Sequence, residues 1–117
     1  MQAPVTGREI HGYRGLAILG AAMTEQYLAG ETSSLLGELQ SVAPTPASVR
    51  DLARLRHEAE TRPLTALPSV VVRALVVADE LCWDSLTRAD MTAFVRQAAL
   101  GAELHEFGVC AGLLEDD

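Results

Sequence analysis

The stretch from residue 63 to residue 83, PLTALPSVVVRALVVADELCW, constrains the fold more than any other part of the chain. On a helical wheel at about 100° per residue, Ser69, Arg73 and Glu80 form one narrow polar stripe. Val70, Val71, Val72, Ala74, Leu75, Val77, Ala78, Leu81 and Cys82 fill most of the remaining circumference. A helix apolar almost all round is normally a buried one. The run Val70-Val71-Val72 alone would also suit a strand, but its continuation through Ala74, Leu75, Ala78 and Leu81 keeps a helical spacing. Thr65 is the expected N-cap, and Pro68 falls in the first turn, where its missing amide removes no hydrogen bond. A membrane span needs about 20 apolar residues, whereas Arg73, Asp79 and Glu80 interrupt this run. The expectation is therefore a core helix over residues 66–83, with other helices around it.

The flanking segments read as further helices. Residues 1–7 contain Pro4 and Gly7 and show no period, as expected of a frayed terminus. From Arg8 to Ala29, Ile10, Tyr13, Leu16, Ala17, Leu19, Met23, Tyr27 and Leu28 share half of the wheel, and Gly30 suits a helix C-terminus. A short helix from Thr32 or Ser33 to Val42 follows, burying Leu35, Leu36, Leu39 and Val42. Thr45-Pro46 is a strong start signal, with Thr45 as N-cap and Pro46 at the first helical position. That helix should run to about Thr61 and stop before Pro63, burying Val49, Leu52, Ala53, Leu55 and Ala59. The sum is an all-α chain: a small five-helix bundle forming one domain over residues 8–114, with an acidic tail at residues 115–117.

After Trp83, the segment DSLTRADM matches a capping box, with Thr87 as N-cap, Asp90 at the third helical position and a Leu86–Met91 staple. This predicts a last helix beginning at Arg88. Its first half carries Met91, Phe94, Val95 and Ala98, and its second half carries Leu100, Leu104, Phe107, Ala111 and Leu114 on nearly the opposite face. Either the helix breaks near Gly101 or Gly108, or it stays straight and offers the second stripe to another chain. The homodimer through Leu100, Leu104, Phe107, Ala111 and Leu114 is the preferred expectation, since an apolar stripe left in water marks an interface.

Three groups invite a chemical reading. Asp79 lies among Val72, Leu75 and Trp83 rather than on the polar stripe, so it is a candidate buried acid in need of a partner. Arg50, Arg54 and His57 share a face of the third helix and could meet an anion or a partner's carboxylate. Asp51 and Glu58 adjoin them, which also fits a solvated face with local ion pairs. Asp84-Ser85-Leu86 resembles the attachment site of acyl carrier proteins, and by that resemblance Ser85 would carry phosphopantetheine. The long loop that the family places before the serine is absent here, and a capped helix start accounts for the same residues.

Charge and motif content narrow the function classes. The net charge is −7, which argues against nucleic acid and anionic membrane surfaces as partners. Cys82 and Cys110 have neither CxxC nor zinc spacing and sit in apolar surroundings, as reduced core cysteines do. No Glu stands three residues before His11, His57 or His105, so no bundle metal site and no cofactor are expected. No nucleophilic triad, phosphate loop or HExxH is present. Arg8 and Arg14 before Gly15–Met23 have the outline of a signal peptide. Glu9 interrupts it and no small-x-small cleavage site follows, so a cytoplasmic protein is expected. The resulting expectation is a non-enzymatic helical adaptor, regulator or inhibitor acting through protein contacts. The alternative is a small-molecule-binding or acyl-carrier-like module with a pocket near Asp79 or Ser85.

Overall fold

In the computed structural model the described residues are 21–115, with side chains from Thr24 onward. They form four helices: α1 (Ala21–Ser41), α2 (Pro46–Thr61), α3 (Leu67–Thr87) and α4 (Met91–Cys110). A single 3-10 turn, Leu64–Ala66, leads into α3, and no strand occurs among the described residues. The all-α expectation holds, with four helices in this region. The expected helix over Arg8–Ala29 lies outside the described residues up to Gly20.

Gly30 does not end a helix. Leu28, Thr32, Leu35, Leu36 and Leu39 are all buried and stay in phase across it, so one continuous stripe favours one continuous helix. The interior glycine costs about 1 kcal/mol, less than the burial on either side contributes. Thr32 does not open a new helix either, because its hydroxyl donates to the Leu28 carbonyl at 2.7 Å. At α2 the expected start is present: the Ser48 amide donates to Thr45 Oγ1 at 3.1 Å, and the Thr45 amide donates to Ser48 Oγ at 3.2 Å. The helix ends at Thr61, before Pro63, and buries Leu52, Leu55 and Ala59, whereas Ala53 faces solvent.

The helices pair as two hairpins, α1 on α2 and α3 on α4, and the core lies between the pairs. Where α1 meets α2, Gly37 makes room for a side chain: a Cβ at this position would lie 3.3 Å from the Arg56 guanidinium carbon. Arg56 Nη1 donates to Gln40 Oε1 at 3.1 Å across that gap. α3 buries Leu67, Val70, Val71, Ala74, Ala78, Leu81 and Ser85, a single stripe at helical spacing. It is therefore not covered on most sides, as its composition suggests. Val72, Val76, Trp83 and Leu86 are exposed on the side away from the core. Thr65 belongs to the 3-10 turn and caps nothing; Ala66 is the N-cap, with Pro68 in the first turn as expected.

The α3–α4 connection also departs from expectation. α3 continues to Thr87, whose hydroxyl donates to the Trp83 carbonyl at 2.9 Å instead of capping α4. The Ala89 amide donates to the Leu86 carbonyl at 3.0 Å and the Asp90 amide to the Ser85 carbonyl at 2.9 Å. This is a Schellman closure with Ala89 in the left-handed position at φ 59°. Asp90 then caps α4 by accepting from the Ala93 amide at 3.1 Å. Leu86 and Met91 are both exposed, so no staple forms between them in the core.

α4 runs unbroken past Gly101 and turns its second stripe inward. Leu100, Leu104 and Phe107 are 8%, 0% and 0% exposed, inside this chain's own core. The helix stops at a second Schellman closure: Gly112, at φ 76°, donates to the Val109 carbonyl, and Leu113 donates to the Gly108 carbonyl at 2.8 Å. Leu114 folds back over Gly108, where a Cβ would come within 2.6 Å of the leucine Cδ1.

One buried polar tie joins the hairpins. Gln97, fully buried on α4, accepts from Ser85 Oγ of α3 at 2.7 Å. Its Nε2 donates to the Val42 carbonyl just beyond α1 at 3.0 Å. Buried polar groups left without partners cost about 1–3 kcal/mol each. Gln97→Leu should therefore lower unfolding free energy by about 1–3 kcal/mol, and adding Ser85→Ala should restore part of the loss, measured as a double-mutant cycle in urea. At the hairpin turn, Ala89→Gly should raise stability by about 0.5–1 kcal/mol, since glycine adopts positive φ without the alanine penalty.

Candidate functional site

On α3, Val72, Val76, Asp79, Trp83 and Leu86 fall within about 80° of one another, on the side away from the buried stripe. Met91, Val95, Ala98 and Ala102 take the same outward position on α4. Together they make the outer surface of the second hairpin. Trp83 is 66% exposed, Val76 53%, Met91 53% and Val95 60%, an unusual share of large apolar side chains for one surface.

Between the two stripes runs an open groove of about 280 Å³. Leu75, Asp79 and Cys82 form its α3 wall, and Ala98, Gly101 and Ala102 form its α4 wall. The small α4 residues create the depression, and a Cβ added at Gly101 would lie at an ordinary contact distance of 3.5 Å from the Ala78 Cβ. Asp79 stands exposed at the rim, so it is not the buried acid that its wheel position suggests. Half-buried Cys82 has its thiol pushed above the ordinary range by burial and then by the Asp79 charge. It stays protonated at neutral pH and is a poor nucleophile.

A second groove of about 280 Å³ lies between α2 and α3, lined by Asp51, Arg54, Leu55, Arg73, Val76 and Val77. Of the Arg50, Arg54 and His57 group only Arg54 reaches it, and Arg54 Nη1 is 3.5 Å from Asp51 Oδ1. Arg50 and His57 are exposed on the same side of α2 but do not line the groove. Arg73 is engaged by Glu58 in a two-pronged pair, Nη2–Oε1 2.6 Å and Nη1–Oε2 3.2 Å. The structure thus gathers no anion site from the expected residues.

Two other expectations are corrected. Leu100, Leu104 and Phe107 cannot serve as a dimer surface because they fill the core, and Ala111 and Leu114 are half-buried against it. Ser85 is fully buried within α3 and hydrogen-bonded to Gln97, so its hydroxyl is not presented for phosphopantetheine. Among the described residues no three His, Cys, Asp or Glu side chains converge on a metal position. No helix among them is long and apolar enough to cross a membrane. No family model, curated protein or solved structure matches the chain.

Gln97 and the outward stripe of α3 are the features that sequence reasoning missed. The stripe had a signal: Val72, Val76 and Trp83 share one wheel face with a carboxylate, Asp79, which suits solvent better than a core.

The Glu58–Arg73 pair generates a pH prediction. Hydrogen bonds from Arg73 hold the Glu58 carboxyl below its ordinary value of 4.5. A carboxyl lowered in the folded state contributes stability that is complete above its unfolded pKa and is lost as pH falls through the folded one. The stability difference between wild type and Glu58→Gln should therefore be constant at neutral pH and shrink below about pH 4.5, followed by urea unfolding across pH.

Proposed function

We propose that the chain is a non-enzymatic binding module that works through protein contacts made by the outer surface of the α3–α4 hairpin. The observation that carries this reading is the exposure of Val72, Val76, Trp83 and Leu86 on one face of α3, with Met91 and Val95 beside them on α4. Exposed aromatic and aliphatic side chains gathered on one surface are the ordinary substance of a protein interface, and tryptophan is enriched among interface anchors. The raised Cys82 thiol supports binding rather than chemistry at this surface.

A second reading, small-molecule binding in the α3–α4 groove, is favoured by its small-residue wall and by Asp79 at the rim. The groove is open along its length, whereas drug-sized ligands are usually enclosed over about 70–90% of their surface. Protein contact is therefore the better fit.

Photo-crosslinking from position 76 or 83 in the native cell should give discrete protein adducts, whereas position 38, exposed on α1, should not. Trp83→Ala should leave the unfolding midpoint nearly unchanged and weaken the captured complex by about 2 kcal/mol, or roughly thirtyfold in Kd. Equal adducts from both positions, or full affinity in Trp83→Ala, would count against the reading.

A further inference from the structure

We infer that the partner presents an amphipathic helix carrying a lysine or arginine on its apolar side, seated along the α3–α4 groove opposite Asp79. This rests on the binding surface proposed above and names what occupies it. The surface is elongated, since its apolar side chains recur along 21-residue α3 at helical spacing, and α3 is about 30 Å long. A groove between two packed helices, floored by small residues, accepts a third helix by ridge-into-groove packing.

Charge selects the kind of helix. Asp79 lines the groove beside Leu75 and Cys82, whereas Glu80 points about 100° away around α3, on the Ser69–Arg73 side. Neither acid forms an ion pair among the described residues. The arginines of this region are engaged or turned away. Arg73 is held by Glu58, Arg88 by Asp84 at 3.0 Å, and Arg96 points about 160° from Ala98 around α4. Any occupant seated in the groove removes water from Asp79 in its wall, and a carboxylate so covered is costly unless a cation meets it. An apolar or acidic helix leaves that cost unmet. A second copy is disfavoured for the same reason, because a two-fold interface sets the same patch against itself and brings two Asp79 carboxylates together.

The chain's single tryptophan, Trp83, reports occupancy directly. The full chain is titrated with tryptophan-free amphipathic helical peptides of about 20 residues, identical except for a central Lys pair, Gln pair or Glu pair. The Lys peptide should shift Trp83 emission to the blue and bind about tenfold or more tightly than the Gln peptide at low salt, losing the advantage as salt rises. Asp79→Asn should abolish the preference. The charge-matched Glu38→Gln, exposed on α1, should keep it, which separates local from overall charge. Equal or tighter binding of the Gln or Glu peptide overturns the cationic assignment while leaving the binding surface standing. A concentration-dependent blue shift without peptide overturns it in favour of a second copy. Failure of every peptide to move Trp83 emission counts against both the occupant and the surface.

Discussion

α3 carries more apolar surface than three neighbouring helices can cover, and the rest of the structure follows from how that excess is distributed. A helix in a two-layer bundle buries one stripe. Here that stripe is Val70, Val71, Ala74, Ala78 and Leu81, facing Leu36, Leu39, Leu104 and Phe107 in one continuous core. Val72, Val76 and Trp83 are equally apolar and have no such place. The core draws α4 inward by its Leu100–Phe107 stripe, which in turn leaves Met91 and Val95 outside beside the uncovered side of α3.

Polar groups then determine which arrangement of hairpins forms. Aliphatic side chains of similar size tolerate several packings, whereas a buried amide with two partners tolerates few. Gln97 links α4, α3 and the end of α1 in one hydrogen-bonded chain, and Asp90 both closes α3 and opens α4. At the first hairpin, Arg56 lies over Gly37 and bonds Gln40, so α1 and α2 are held in register by a side chain rather than by shape alone.

Local chemistry was readable where it acts alone. Thr45, Pro46 and Pro63 delimit α2 without help from the rest of the molecule, and the helical period of residues 66–83 identifies α3. A local preference misleads where burial elsewhere outweighs it. Gly30 and Gly101 carry a modest helix penalty that continuous stripes override, and Thr87 is drawn into α3 because Ala89 accepts the left-handed turn. The choice between the two stripes of α4 depends on which one meets α3, a long-range fact absent from its own periodicity. Of the candidate site, Asp79 was identifiable as out of place, but its exposure on an apolar surface required knowing how much of α3 its neighbours leave open. Ser85 shows the reverse: a motif-like local context that the fold uses to hold Gln97.

Oxidative footprinting of the monomeric chain with hydroxyl radicals tests the uneven covering of α3 and α4 most directly, because Trp, Met and Phe side chains are all readily labelled. Trp83 and Met91 should be modified rapidly in the native state, while Phe107 is labelled only after unfolding. Protection of Trp83 to the level of Phe107 in the monomer would contradict the account.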